Sequence, residues 1–101
     1  MDDSRIPGTV PAVATAYRIL DALAEMRPQG GTLTELTNAL CLSKSTMHGQ
    51  LATLCACGLV ERDEVTRRFR LGHALIQLGQ AASTEPDLRM LAANALPTLA
   101  G

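Results

Sequence analysis

The side chains with chemistry to offer fall in two groups. Ser43, Lys44, Ser45, Thr46, His48 and Gln50 crowd the start of SKSTMHGQLATLCACG, and Arg67, Arg68 and Arg70 follow in DEVTRRFRL. Hydroxyls, an ammonium, an imidazole and an amide on the first turns of a helix are donors for phosphates and base edges, and glutamine can pair with adenine in the major groove. Guanidinium groups hold phosphates in forked hydrogen bonds. Catalysis finds no support: His48 has no acidic partner at helical spacing, and Cys55 lies seven residues on. The three cysteines, Cys41, Cys55 and Cys57, are odd in number and lack CxxC spacing, which speaks against disulfides and zinc. They are expected to be free thiols buried as small apolar residues, with redox sensing left as the other reading.

A helix must carry the first group. Ser43 can cap its first turn, Gly58 can take the left-handed conformation that ends it, and Met47, Leu51 and Leu54 recur at i, i+4 and i+7 as an inward stripe. Gly49 and Gln50 follow His48 on the polar side. Upstream, Pro11 opens a helix of about four turns to Met26, with Val13, Ala16, Leu20, Leu23 and Ala24 inward and Tyr17 and Ile19 toward the flanks. RPQGG reads as a loop and Thr32 and Leu33 as a brief extended piece, after which Thr34 caps a short helix, Glu35 to Leu40. Only Cys41 and Leu42 separate that helix from Ser43, which is helix-turn-helix geometry.

After Gly58 the period falls to two. LVER and RFRL read as strands around DEVT, with Leu59, Phe69 and Leu71 inward and Arg68 and Arg70 on the other side, and Glu61 and Asp63 as charges on the surface of this wing. From Gly72 helical spacing returns through Ala74, Leu75, Leu78 and Ala82, with His73 at its start. Asp87 to Leu99 forms a last amphipathic segment, broken by Pro97. The expected fold is mostly α with a small β-hairpin: a winged helix-turn-helix, three helices plus wing, followed by further helices. Residues 1–9 form a flexible arm, 10–84 the winged domain and 85–101 a linker or dimerisation helix.

Composition agrees with a helical domain and bounds its chemistry. The chain has 101 residues, 47% apolar, with Tyr17 and Phe69 its only aromatic residues, so the core must be aliphatic. No apolar run approaches a membrane span and the start lacks a secretion-signal pattern, so a cytoplasmic protein without a membrane partner is expected. Net charge is −1, yet Ser43 to His73 holds five basic residues against three acidic ones, an excess absent from the rest. Phosphate-driven affinity is expected to be modest for one copy.

Taken together, VATAYRILDALAE, LSKSTMHGQLATLCACGLVERD and FRLG resemble the N-terminal winged helix-turn-helix domain of the IclR family of bacterial transcriptional regulators, from Val10 to about Leu99. The resemblance implies sequence-specific binding of double-stranded operator DNA by a homodimer or dimer of dimers, with no enzymatic activity and no cofactor. It places residues 43–57 in the major groove and the wing, 59–71, on the backbone. Thr34, Ser43, Lys44, Ser45, Thr46, His48, Gly49, Gln50, Arg67, Arg68 and Arg70 are the expected DNA-contacting residues. Family members carry a further domain that binds a small-molecule effector; this chain, ending at LAG, is expected to be a fragment without it. Where the family usually shows arginine and an aliphatic residue after His48, this chain has Gly49 and Gln50, and Cys41 stands where the turn commonly has glycine. The alternative is a winged-helix protein-interaction or dimerisation module with weak or no DNA binding.

Overall fold

The structure is a computed structural model and describes residues 10–83. The arm at 1–9 and the linker helix expected at 85–101 lie outside the described residues. Four helices and a hairpin follow in order: α1 (Pro11–Glu25), α2 (Leu33–Leu40), α3 (Lys44–Ala56), β1 (Val60–Arg62), β2 (Phe69–Leu71) and α4 (His73–Ala82). The expected winged helix-turn-helix is thus the observed fold. No helix among the described residues is long and apolar enough to cross a membrane.

The core is the meeting place of α1, α2, α3 and β1. Ile19, Leu23, Leu36, Met47, Leu51, Leu54 and Val60 are its buried members, and no polar or charged side chain among the described residues is buried with them. Met47, Leu51 and Leu54 hold α3 from behind, as their spacing requires. The stripe on α1 differs from the expected one. Ile19 and Leu23 carry the burial, whereas Val13 is 68% and Tyr17 67% exposed. At 100° per residue, Val13, Leu20 and Ala24 make one apolar row and Ala16, Ile19 and Leu23 make its neighbour, and periodicity cannot choose between adjacent rows. On α4 Ala74 and Leu75 are half-buried but Ile76 and Leu78 are exposed, so the helix leaves the core after one turn.

α2 begins earlier than expected, and its cap is Thr32 rather than Thr34. Thr32 Oγ1 accepts from the Glu35 amide at 3.1 Å and Glu35 Oε1 accepts from the Thr32 amide at 3.0 Å, a reciprocal box that satisfies two orphan donors. The helix ends on Cys41 in the left-handed region, φ 55°, at the position where glycine is free of strain. α3 is capped by Cys57 and closed by Gly58 just beyond it, φ 79°, where the Leu59 amide reaches the Leu54 carbonyl and the Gly58 amide the Cys55 carbonyl, both at 3.0 Å.

The wing pairs β1 and β2 antiparallel in the register Val60 with Leu71, Glu61 with Arg70 and Arg62 with Phe69. Gly31 adds a bridge on the far side of β2, exchanging hydrogen bonds of 3.0 and 2.7 Å with Phe69. The loop before α2 therefore docks on the wing. Gly30 fits there because it has φ 82°, and a Cβ would strike the Phe69 carbonyl oxygen.

Candidate nucleic-acid interface

The start of α3 is built by its own hydroxyls. Ser43 Oγ accepts from the Thr46 amide at 3.1 Å and donates to Thr46 Oγ1 at 2.9 Å, while Ser45 Oγ stands 3.4 Å from Ser43 Oγ. Ser43 and Thr46 thus complete the helix start, and both remain exposed. Lys44, Ser45, His48, Gly49, Ala52, Thr53 and Ala56 are exposed as well. Opposite the buried Met47 and Leu51, the outermost ridge runs through Ser45, Gly49, Ala52, Thr53 and Ala56. A Cβ on Gly49 would meet nothing within 4 Å. Ala52 and Thr53 were not singled out by residue type, since neither carries an obvious donor aimed outward; turning the helix wheel away from Met47 and Leu51 would have found them.

Gln50 sits on the flank toward α1. It is half-buried, and its Nε2 donates to the Ala12 carbonyl at 3.1 Å, so its amide braces α3 against the start of α1.

The wing arginines are used unequally. Arg67 is exposed and takes φ 61°, its amide donating to the Asp63 carbonyl at 2.7 Å. Arg68 turns inward: its Nη1 donates to the Gly30 carbonyl and to Glu35 Oε1, both at 3.1 Å. That guanidinium clasps the wing to the cap of α2. Arg70 is exposed, 3.6 Å from Asp63 Oδ2. Arg62, which sequence reading left out of the set, lies with its guanidinium 5.7 Å from the Phe69 ring centre.

The wing carboxylates do more than decorate its surface. Asp63 Oδ1 accepts from the Val65 and Thr66 amides at 2.8 and 3.1 Å, which closes the hairpin turn. Those bonds, aided by Arg70, hold its carboxyl below the usual value. Glu35 is lowered in the same way, first by the Thr32 amide and then by Arg68. Glu61 Oε2 accepts from the His73 amide at 3.2 Å and so caps α4, whose Gly72 has no side chain to do it. The cysteines depart from expectation. Cys41 and Cys57 are exposed and Cys55 half-buried, because the first two occupy helix-ending turns; burial pushes the Cys55 thiol up. Among the described residues no cluster of His, Cys, Asp and Glu could hold a metal ion.

Between α3, the N-terminus of α2 and the wing lies a cleft of about 700 Å³. Leu51, Ala52, Cys55 and Phe69 line it together with Thr34, His48, Arg62, Thr66 and Arg67. Thr34 is therefore not a cap, but the structure does bring it together with His48 and Arg67. No carboxylate is among the residues that line this cleft.

Comparison with known proteins bears on this geometry. The IclR helix-turn-helix domain model matches residues 12–64. A probable HTH-type transcriptional regulator, ArcR of Halobacterium salinarum, is 36% identical over 94 residues, covering 93% of this chain and 35% of that protein. The HTH-type transcriptional regulator KdgR of Dickeya chrysanthemi is 33% identical over 86% of this chain and 28% of its own. An IclR transcriptional regulator structure from Alicyclobacillus acidocaldarius superposes with a TM-score of 0.77 at 36% identity, over 83% of this chain and 34% of the other. The chain thus spans about a third of the length of these relatives.

Proposed function

The chain belongs to the IclR helix-turn-helix family, and on that premise we propose that it is the sequence-specific DNA-binding part of a transcriptional regulator, acting in the cytoplasm and without enzymatic activity. α3 enters the major groove of an operator, and the wing lies against the sugar–phosphate backbone. The observation that carries this reading is the outer side of α3, exposed from Lys44 to Ala56 and clear of protein atoms at Gly49, next to a cleft ringed by His48, Arg62 and Arg67.

Within this reading Lys44 supplies charge, Ser45 and Thr46 donate to phosphates or base edges, and His48 reaches a base edge. Gln50, bonded to Ala12, keeps the helix at its angle and reads bases from the groove's margin. Thr34, Arg67 and Arg70 meet phosphates. Exposed Val10, Val13 and Tyr17 form an apolar flank on α1 that supports pairing of two copies as a homodimer, or a dimer of dimers, on a near-palindromic site. An effector would act through a domain outside this chain.

The test is a gel shift with random-sequence duplex at low salt, over a protein range that spans dimer formation, followed by selection from a random pool. Retarded duplex and a selected sequence with two spaced half-sites are expected. Absence of any retarded species would leave a protein-interaction module in its place.

A further inference from the structure

We propose that Lys44 is an acylation site: an activated acyl group, carried as an acyl phosphate or an acyl thioester, is transferred to its amine and weakens the hold of α3 on DNA. The consequence for binding rests on the DNA-binding reading, whereas the modification itself rests on the side chain and its surroundings.

The inventory of amines supplies the first step. Lys44 is the only lysine among the 101 residues, and the other eight basic residues are arginines. A guanidinium stays protonated in proteins and does not attack acyl donors, whereas an ammonium can give up a proton and leave a nucleophilic amine. Acylation of a side-chain nitrogen therefore has one address in this chain, and that address is the first residue of α3.

The structure supplies the second step, because it gives this charge nothing to do within the fold. Arg18, Arg27 and Arg68 each donate to a backbone carbonyl, Arg70 faces Asp63, and Arg62 lies over Phe69. Lys44 is exposed and takes part in no hydrogen bond or ion pair among the described residues. α3 carries no acidic residue that could hold its ammonium. A cation at the N-terminus of a helix also opposes the helix dipole. The charge therefore costs the helix a little stability, and its use lies in what α3 meets outside the chain. Neutralising it leaves the fold intact.

The chemistry is a simple acyl transfer. The neutral amine of Lys44 attacks the acyl carbon, and a C–N bond forms as the bond from that carbon to the phosphate oxygen, or to the thioester sulfur, breaks. The leaving phosphate or thiolate takes the electron pair, and the proton of the amine passes to water. Acyl phosphates are anions, and the excess of basic residues from Ser43 to His73, five against three acidic, draws them to this surface. The product is an uncharged amide. Loss of one charge-assisted contact to a phosphate lowers affinity about tenfold and shallows the salt dependence by about one unit of slope.

The test treats the folded chain with acetyl phosphate and, in a second arm, with an acetyl thioester. A hydroxylamine wash then strips thioesters from the exposed thiols of Cys41 and Cys57 and leaves amides in place. Peptide mass mapping separates an acetyl group on Lys44 from one on the α-amine of the chain. Binding to the selected duplex is read by fluorescence anisotropy, and Lys44→Arg is carried through alongside, each protein compared with its own untreated sample. The expected result is acetyl-Lys44 from at least one donor, about tenfold weaker binding, an unfolding midpoint that does not fall, and no effect of treatment on Lys44→Arg. No acetyl group on Lys44 from either donor, undiminished binding by the acetylated protein, or an equal loss in Lys44→Arg overturns the proposal while untreated binding stands. Failure of the untreated protein to bind any duplex overturns the DNA-binding reading and the proposed consequence with it, and the mass map then decides the modification alone.

Discussion

Replacing Gly49 by alanine separates stability from function on the same helix. Gly49 lies mid-way along α3, exposed, and an added Cβ would touch nothing within 4 Å. Its carbonyl accepts the Thr53 hydroxyl at 3.0 Å, a bond that the new methyl leaves intact. The folded state therefore loses nothing, while the unfolded chain loses conformations that only glycine can visit. Gains of about 0.4–1 kcal/mol follow for such a substitution, or a rise in Tm of roughly 2–8 °C for a domain of this size. Urea unfolding should show a higher midpoint with unchanged slope. DNA binding should move the other way, because the methyl stands on the ridge that comes nearest the base edges. A fall in the midpoint would refute the exposed placement of Gly49, and equal or tighter binding by the stabilised variant would refute the close approach.

Three further outcomes follow from the site. Arg67→Gln should shallow the salt dependence of DNA binding by about one unit of slope, whereas Arg68→Gln should leave the slope in place and lower the unfolding midpoint, since Glu35 and Gly30 hold that guanidinium; anisotropy across a salt series separates them. Glu35 and Asp63 have carboxyls lowered in the folded state, so their stabilisation is fully present above the ordinary carboxylate range and is lost as pH falls through the lowered values. Acid titration of the unfolding midpoint should therefore be flatter in Glu35→Gln with Asp63→Asn than in the parent. Cys41→Gly should stabilise the domain by about 1 kcal/mol, by relieving the left-handed backbone at φ 55°, and a lower urea midpoint would count against that strain.

The fold was legible where a local rule decided it. Ser43, Gly58 and the Met47, Leu51, Leu54 stripe mark α3 unaided, and the switch to period two marks the wing. The start of α2 was legible but missed: Thr32-Leu33-Thr34-Glu35 spells a capping box, and Thr34 has no acidic residue three positions on. Other features depend on partners far away in the chain. Nothing near Arg68 reveals that Glu35, 33 residues earlier, will claim its guanidinium, nor that Gln50 will bond to Ala12, 38 residues earlier. Glycine-rich composition identified Arg27 to Gly31 as a loop but could not show that Gly31 pairs with Phe69. The lining of the cleft was hidden for the same reason, since Leu51 and Phe69 signal core and only the fold sets them beside Arg62 and Arg67.

That pairing of Gly31 with Phe69 also decides which edge of the hairpin stays open. A two-stranded hairpin leaves two rows of unpaired backbone groups, each a template for adding a strand from another molecule. Gly31 occupies the row along β2. The open row belongs to β1, which is three residues long and bears the charged Glu61 and Arg62. Short length and charge are what discourage strand addition from another molecule along that edge.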